Sequence, residues 1–183
     1  MTKFSITKHL KERHLDITLY NSIYISEENS KAYFFLYNLS GQIVGYQCYS
    51  PLLPKRDHKA LDSERRYHTK ITKECNKVKL TSFGLDILDP SKRDIFLVEG
   101  VFDACRLHSL GLNSLALLCS DVDYLKSFLF SLGYKLIPVC EGDESGLKLS
   151  SLATSDEIIY LKKGIDIGDM SKDEIDLIFS KYK

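Results

Sequence analysis

Acidic side chains follow three apolar runs in the second half of the sequence, each just beyond the end of its run. Glu99 comes directly after DIFLV, and Glu141 and Asp143 come soon after KLIPVC. Asp166 and Asp169 follow IIYL after a short intervening segment. If these runs are strands of one open α/β sheet, their carboxyl ends lie at the edge where such sheets bind ligands. The sequence therefore predicts that carboxylates from three strands converge on one edge.

A further acid, Asp103, stands four residues after Glu99. If a helix begins at Gly100 or Val101, the Asp103 carboxylate lies on its first turn, near the same edge. Carboxylates crowded in this way repel one another unless a cation neutralises them, and an all-oxygen set of ligands is what Mg²⁺ or Mn²⁺ prefers. Each acid taken singly could instead cap a helix or close a turn. The metal-site interpretation depends on several acids occupying equivalent positions.

The net charge of zero conceals a segregation along the chain. Residues 1–54 carry five basic and four acidic groups, residues 55–79 nine and four, and residues 80–183 eleven and seventeen, so the net charges are +1, +5 and −6. The middle segment also contains Tyr67 among its arginines and lysines. A basic strip beside an acidic half fits a protein that binds a polyanion with one surface and a divalent metal with another. A solvated charged linker is the alternative explanation.

After Pro90 the sequence alternates short apolar runs with segments of helical spacing, which is typical of an α/β fold. The runs at 94–98, 114–119, 135–140 and 158–161 predict strands, and the segments 102–110, 123–132 and 171–182 predict helices. Strands of near-continuous apolar character joined by helices predict a parallel sheet covered on both faces. Pro138 argues against a central position for the third strand, because proline cannot donate a ladder hydrogen bond. Ser171 and Glu174 form a capping-box pattern before the last helix.

The first half of the chain predicts a mixed α+β lobe. Leucines are spaced as in a short amphipathic helix over residues 7–19, with an interruption at 14–16. Residues 32–39 and 42–49 are rich in aromatic and β-branched side chains on either side of Ser40-Gly41. They predict an antiparallel hairpin.

Composition restricts the class of protein further. With 44% hydrophobic residues the chain is neither disordered nor a fibrous repeat. The five cysteines are spread singly, so we expect reduced core residues, with no structural zinc and no disulfide framework. The longest stretch without a formal charge, 107–120, is too short for a membrane span, which needs about 20 apolar residues. The first residues do not form a secretory signal. We therefore expect a soluble cytoplasmic protein without membrane contact.

Three segments of the second half resemble the motifs of a Toprim domain, the metal-binding module of topoisomerases and bacterial-type primases. They are VEGVFDA at 98–104, LGLNSLALLCS at 110–120 and EGDESG at 141–146. Upstream, KHLKERHLDITLYNSIYI, SGQIVGYQCYS, Arg66-Tyr67 and KLTSFGLDIL resemble successive segments of the basic lobe of a bacterial-type primase core. The resemblance implies an α/β protein with an α+β N-terminal lobe, residues 1–90, and a Toprim lobe, residues 91–183, whose mainly parallel sheet is flanked by helices.

In a primase core of this type the acids serve a two-metal phosphoryl transfer. The resemblance implies Asp103, Glu141, Asp143, Asp166 and Asp169 as ligands of Mg²⁺ or Mn²⁺, with Glu99 and Asp143 as catalytic residues. Glu99 would either orient the site or accept the proton of the attacking 3′-hydroxyl. The basic lobe would bind a single-stranded DNA template and ribonucleoside triphosphates through Lys55, Arg56, Arg65, Arg66, Tyr67, Lys70 and Lys73. Tyr67 could equally be a half-buried strand residue.

The sequence departs from the primase pattern at three places. Glu141 stands where the second motif usually begins with aspartate, and Asp169 is displaced by one residue from the usual spacing of the third motif. Cys48, Tyr49 and Ser50 occupy a stretch where primases place an arginine. We also expect a helicase or a zinc-module protein to act in trans, because the sequence contains no segment that resembles either module.

The predicted metal site is compatible with three functions. The first is a DNA primase that synthesises short RNA primers. The second is a Toprim nuclease, in which the same acids and metals activate water to cut a phosphodiester. The third is a non-catalytic nucleic-acid-binding relative, which the Glu141 exchange and the missing arginine would explain. The long upstream lobe favours the primase, because a minimal nuclease needs no nucleotide-binding lobe.

Overall fold

The structure is a computed structural model that describes residues 4–55, 61, 64–71, 81–119 and 122–183. Its strands are β1 (Ile23–Ser26), β2 (Lys31–Tyr37), β3 (Ile43–Tyr49), β4 (Tyr67–Ile71), β5 (Asp94–Val98), β6 (Ser114–Ala116), β7 (Lys135–Cys140) and β8 (Ile159–Tyr160). Its α-helices are α1 (Ile6–Glu12), α2 (Val101–His108), α3 (Lys126–Ser131), α4 (Glu144–Ser150) and α5 (Lys172–Phe179). These elements form an antiparallel sheet followed by a parallel sheet flanked by helices, which confirms the predicted α/β class.

The N-terminal sheet, in the order β1-β2-β3-β4, is built on the hairpin predicted from the sequence. β2 and β3 pair antiparallel, and the turn between them places Gly41 at a φ of 72°, a left-handed conformation that costs glycine little. Burial alternates along β2, so that Phe34 and Leu36 face the core while Tyr33 and Phe35 face the other side. The predicted hairpin is confirmed, with strand ends shifted by one or two residues.

A strand, β4, lies inside the basic segment, where the sequence suggested a strand only through the alternative interpretation of Tyr67. It pairs antiparallel with β3, and the side-chain amide of Gln47 donates a hydrogen bond of 3.1 Å to the hydroxyl of Thr69. Tyr67 begins this strand and is partly buried. Its position therefore matches the alternative interpretation of Tyr67 as a half-buried strand residue, and it leaves open whether the side chain also binds a ligand.

The predicted N-terminal helix is present and is interrupted as expected. α1 ends at Glu12, His14 has a φ of 58°, and a 3₁₀ turn follows at Ile17–Leu19. Ser5 caps the helix, and the Glu27 carboxylate accepts hydrogen bonds from the N–H groups of Ile6 and Thr7, which otherwise have no partner at a helix start. The cap fixes α1 against the β1–β2 turn.

The C-terminal sheet has the order β6-β5-β7-β8, and all of its strand pairs are parallel. The four strands and three helices predicted after Pro90 are all found, although β6 and β8 are shorter than predicted. Ser171 and Glu174 form the predicted capping box at the start of α5. β5 and β7 are adjacent and parallel in the centre of this sheet. The residues that follow them therefore reach the same edge.

Pro138 lies in β7, a central strand of the sheet. This position is contrary to the prediction, because the missing N–H of proline argues against a central strand. Pro138 lies opposite Leu97 of β5, while β8 pairs only with Val139 and Cys140. On the β8 side, the backbone before the proline is covered instead by Thr154, whose hydroxyl accepts the N–H of Leu136 at 2.8 Å. The strand therefore accommodates the proline where the neighbouring strand has not yet begun.

The two sheets share a hydrophobic core. The ring of Phe34 in β2 makes edge-to-face contacts with Phe83 and Phe102, at centroid distances of 5.5 and 5.8 Å. Phe83 also pairs with Ala116 at the edge of the C-terminal sheet, and Ser82 pairs with Tyr37 of β2. Residues 82 and 83 thus bridge the sheets, and the division at residue 90 stays a prediction.

A buried histidine links the two halves of this core. His108 in α2 lies 2.8 Å, through Nδ1, from the hydroxyl of Tyr20 and 2.8 Å, through Nε2, from the carbonyl oxygen of Ser114. In a neutral ring, Nε2–H donates to the carbonyl and Nδ1 accepts from the tyrosine. Burial lowers the pKa of His108 to about 4. The contacts and the burial of His108 therefore favour a neutral imidazole at this position.

The described cysteines are free, and the structure contains no helix, among the described residues, that could span a membrane. Cys48, Cys105 and Cys140 are buried, as predicted for core cysteines, whereas Cys119 is partly exposed. Cys75 lies outside the described residues.

The depressed pKa of His108 predicts a loss of stability in mild acid. An unfolded histidine takes up its proton near pH 6.5, whereas the folded one does so only near pH 4, so stability is full above pH 6.5 and falls as the pH decreases towards 4. Between pH 7 and pH 5 this group should contribute about 2 kcal/mol of the loss. In urea titrations, His108→Gln should remove about that much of the pH dependence, and an unaltered pH dependence would contradict a neutral buried His108.

Candidate active site

A cleft of about 620 Å³ lies between the carboxyl edge of the C-terminal sheet and the inner face of the N-terminal sheet. One wall is acidic and consists of Glu99, Asp103, Glu141, Asp166 and Asp169. The facing wall, which we call the basic wall, carries cations, aromatic rings and one amide, from Arg13, Lys55, Arg66, His9, Tyr49, Tyr67 and Gln47. Five of the six acids predicted from the sequence therefore line one cavity, opposite three cationic side chains.

The ends of β5 and β7 position the acids. Glu99 follows the last residue of β5, and Glu141 follows the last residue of β7. The turn after β7 is so close to α4 that a Cβ on Gly146 would lie 2.1 Å from the carbonyl oxygen of Glu141. Gly146 is therefore needed for the close approach that holds Glu141 at the sheet edge.

Asp103 and Asp166 form the buried end of the acidic wall. Asp103 is 7% exposed, and its carboxyl oxygens accept the N–H groups of Gly100 at 3.2 Å and Gly168 at 3.0 Å. A Cβ on Gly100 would lie 2.8 Å from this carboxyl group. Asp166 accepts the same Gly168 N–H at 2.7 Å. The two carboxyl groups thus share one backbone donor.

A hydrogen bond between the two carboxyl groups requires that one of them carries a proton. Burial, then the hydrogen bond and charge of Asp166, raises the pKa of Asp103 well above its ordinary value. Burial alone would also raise the pKa of Asp166, but the hydrogen bonds from Asp103 and Gly168 and the charges of Arg13 and Lys55 lower it. Within this pair, Asp103 is therefore the acid that more readily holds a proton and Asp166 the one that more readily ionises.

Glu99 and Glu141 stand nearer the opening of the cleft. Burial, followed by repulsion from Glu141 and Asp143, raises the pKa of Glu99 to about 7. Burial and repulsion from Asp166 and Asp143 raise the pKa of Glu141, and Lys55 partly opposes this. Glu99 Oε1 is buried without a hydrogen-bond partner among the described residues. The wall thus carries more carboxylate than its protein surroundings neutralise.

Asp143, a predicted catalytic residue and ligand, lies outside the lining of the cleft. Its side chain is exposed and caps α4 by accepting the N–H of Gly146 at 2.9 Å. Its charge still contributes to the raised pKa values of Glu99 and Glu141. The cap occupies Oδ1, so a direct role at a metal would fall to Oδ2.

Asp169 lies at the rim of the cleft and interacts with Arg13. Arg13 Nη2 lies 3.4 Å from Asp169 Oδ1, and the side chain of Asp169 is 72% exposed. The guanidinium of Arg13 also lies 3.9 Å from the centroid of the Phe102 ring and donates to the hydroxyl of Tyr67 at 3.2 Å. Arg13 is thus held against the acidic wall by three neighbours.

The predicted basic residues divide between the cleft and other surfaces. Lys55, Arg66 and Tyr67 line the cleft, and Arg66 is fixed there by a hydrogen bond of 2.8 Å from its Nε to the carbonyl oxygen of Leu53. Arg65 and Lys70 lie outside the lining, and Lys70 pairs with Tyr46 on the opposite face of the sheet. Arg56 and Lys73 lie outside the described residues.

Sequence reasoning missed several residues of the basic wall. His9 is hydrogen-bonded to the hydroxyl of Tyr49 at 2.8 Å, and Tyr49 occupies the stretch where an arginine was expected. Arg13 follows α1, where amphipathic spacing assigns charged residues to solvent. The resemblance of the segment KHLKERHL to primases is the sequence signal that could have identified His9 and Arg13.

The donors on the acidic wall fit a divalent metal. Glu99, Asp103, Glu141 and Asp166 offer oxygen atoms only, which suits Mg²⁺ or Mn²⁺, and the unpartnered Glu99 Oε1 is one such donor. Within the part of the chain that the structure describes, no three His, Cys, Asp or Glu side chains are already close enough to hold an ion. Binding would therefore require the side chains of this wall to rotate towards one another.

The raised pKa of Glu99 predicts that its ionised carboxylate destabilises the metal-free protein. Because the folded pKa of about 7 exceeds the ordinary value of 4.5, the penalty is absent below pH 4.5 and grows as the pH rises through 7. Glu99→Gln should therefore increase the free energy of unfolding by about 1 kcal/mol at pH 8 in EDTA, a value reduced for solvent screening. Urea titrations at pH 4.5 and pH 8 measure the difference, and a variant less stable than the wild type at pH 8 would contradict the assignment.

Comparison with solved structures identifies the fold. A DNA primase domain from Pseudomonas aeruginosa is 17% identical and has a TM-score of 0.58, with 93% of this chain and 62% of that chain covered. The zinc-binding and RNA polymerase domains of the Aquifex aeolicus primase are 16% identical with a TM-score of 0.67, and 97% and 55% are covered. The E. coli primase catalytic core is 16% identical with a TM-score of 0.62, and 96% and 59% are covered.

The similarity is one of structure. No protein-family model matches the sequence, and no curated protein matches it. The chain spans between 55% and 62% of the length of the three primase structures named above. Over almost its entire length, however, the chain has the fold of bacterial primase catalytic cores.

Proposed function

We propose that this chain is the catalytic core of a DNA primase, which synthesises short RNA primers on single-stranded DNA. The observation that carries the proposal is the cleft, in which carboxylates at the edge of one sheet face the cations Arg13, Lys55 and Arg66 from the other half of the chain. A nucleoside triphosphate bears negative charge and requires both a metal site and cationic side chains. The primase fold of the chain supports the same conclusion.

The acidic wall would hold the metal. Glu141 and Asp166 are the residues that would bind Mg²⁺ or Mn²⁺, with Asp103 behind them as the buried partner of Asp166. When bound, such ions neutralise charge on a phosphoryl group and on the oxygens that attack and leave it. Asp143 and Asp169 would contribute through their charge, while one oxygen of each stays with its present partner, Gly146 or Arg13.

The basic wall would bind and orient the triphosphate. Arg13 presents its guanidinium between Tyr67 and Asp169, and its contact with the Phe102 ring fixes the plane in which it can bind phosphate oxygens. Arg66 is oriented by the Leu53 carbonyl. These two arginines would take the place of the arginine missing from residues 48–50, because both line the same cleft as Tyr49.

Glu99 would serve as the proton acceptor. Its pKa of about 7 means that it can take a proton from a 3′-hydroxyl near neutral pH and release it again afterwards. Its partner-free oxygen leaves a position at which a hydroxyl group could donate. A single-stranded template completes the proposed system.

A primer-synthesis assay tests the proposal. Purified protein, single-stranded DNA of mixed sequence, four ribonucleotides and Mg²⁺ or Mn²⁺ should yield short labelled RNA products on a denaturing gel. Asp166→Asn should reduce their yield by about 100-fold, because it removes one of the two carboxylates proposed to bind the metal. Asp156→Asn is the matched control, since Asp156 is exposed on a loop away from the cleft, and it should leave synthesis unchanged.

The alternatives predict different products in the same assay. Shortened input DNA that disappears in Asp166→Asn would establish the nuclease in place of the primase. No product with either metal, alongside salt-sensitive DNA binding, would contradict autonomous primer synthesis and favour the non-catalytic relative. Full activity in a folded Asp166→Asn variant would refute the site assignment.

A further inference from the structure

A row of aromatic rings crosses the N-terminal sheet on the face turned away from the cleft. The ring of Tyr24 in β1 lies 6.0 Å from that of Tyr33 in β2, which lies 5.5 Å from that of Tyr46 in β3. His68 in β4 continues the row at 6.0 Å from Tyr46. We call this surface the outer face, defined by Tyr24, Tyr33, Phe35, Tyr46, His68, and the two lysines described below.

Strand register places these residues on one side of the sheet. Tyr24 pairs with Tyr33, Phe35 pairs with Tyr46, and Tyr46 pairs with Lys70. Lys31 stands two residues before Tyr33 in β2 and is therefore on the same face. The intervening residues of the same strands face the shared core and the cleft, so the outer face makes no contribution to the acidic site.

The outer face is open at Tyr24. Cross-strand ring contacts stabilise a sheet, and this explains the partly buried Tyr33 and Tyr46. Tyr24, however, is 57% exposed and borders a shallow hollow of about 300 Å³ that Tyr33, Phe35 and Tyr46 also line. Sheet stability alone does not account for a large ring that remains mostly in solvent beside such a hollow.

Charge on the outer face favours a polyanion. None of the residues of β1, β2, β3 and β4, all of which the structure describes, is an aspartate or a glutamate, whereas Lys31 and Lys70 lie on the outer face. The acids nearest in sequence are Glu27 and Glu28 in the β1–β2 turn. The carboxylate of Glu27 accepts hydrogen bonds at the start of α1, and Glu28 is exposed at the turn.

We propose that the outer face binds single-stranded nucleic acid, with bases stacked on Tyr24 and Tyr33 and phosphates held by Lys31 and Lys70. Aromatic rings set in a basic surface are how single strands are bound without sequence preference. β3 and β4 connect this surface to the cleft, because Tyr49 and Tyr67 line the cleft from the same two strands that carry Tyr46 and Lys70. The choice of a polynucleotide as the ligand rests on the proposed function.

Fluorescence anisotropy with a labelled 20-nucleotide oligothymidine tests this surface. EDTA is included so that binding does not require the metal site. Tyr24→Ser should weaken binding about tenfold through the loss of one stacking surface, whereas Tyr24→Phe, which keeps the ring, should bind like the wild type. Tyr160→Ser is the matched control, because Tyr160 is 63% exposed on β8, and it should not alter the affinity.

The contribution of the lysines has its own signature. Lys31→Ala should reduce the slope of log affinity against log salt by about 0.7, the value for one phosphate contact on a single strand. A bromouracil-containing oligonucleotide, crosslinked by light and mapped by mass spectrometry, should give adducts at Tyr24 or Tyr33.

Three results would overturn the proposal. Tyr24→Ser could bind with the same affinity as the wild type, Tyr160→Ser could lose as much affinity as Tyr24→Ser, or the wild-type protein could fail to bind the oligonucleotide.

These outcomes differ from failure of the proposed function, because primer synthesis is read from new RNA in the presence of metal. Primer synthesis by the wild type, together with unchanged binding by Tyr24→Ser, would remove the outer-face site and leave the primase proposal intact. Weakened binding by Tyr24→Ser without any primer synthesis would support the outer face alone.

Discussion

The crowding of carboxyl groups at the edge of the C-terminal sheet is the constraint on which the rest of the structure depends. Asp103 and Asp166 interact directly. Burial raises the pKa values of Glu99 and Glu141, and repulsion raises them further, from Glu141 and Asp143 on Glu99 and from Asp166 and Asp143 on Glu141. Such an arrangement destabilises a protein unless cations face it. Arg13 and Lys55 supply part of that positive charge and lower the pKa of Asp166. A bound divalent metal would supply the remainder.

The acids need cations nearby, and those cations come from the N-terminal half of the chain. The two sheets must therefore pack closely against each other. Phe102 stands beside Asp103 in α2, and its ring contacts Phe34 at 5.8 Å, Tyr49 at 4.9 Å and the Arg13 guanidinium at 3.9 Å. The residue next to the most buried acid therefore also anchors the core and orients the principal cation. Because Phe102 and Asp103 are neighbours in α2, a small movement of α2 would change the acid pair and the basic wall together.

Much of the fold and part of the site could be predicted from the sequence. Apolar runs ending in acids located Glu99, Glu141 and Asp166 at one edge, because parallel strands place their carboxyl ends together. β4 was missed because its polar, basic residues lack the alternation that marks a strand, and its pairing with β3 is a tertiary effect. Arg13 and Tyr49 were not identified as wall residues, since their approach to the acids depends on how the sheets pack. Asp143 follows its strand as the other acids do, yet the cap of α4 holds it outside the cleft.

The central claim, that the acidic wall is a divalent-metal site facing the triphosphate-binding cations, is tested most directly by anomalous diffraction from crystals soaked in Mn²⁺ and a non-hydrolysable ribonucleoside triphosphate. The account predicts manganese peaks bound by carboxylate oxygens of Glu141 and Asp166, with triphosphate density between them and Arg13. Peaks confined to other surfaces, or a triphosphate bound away from this cleft, would contradict it.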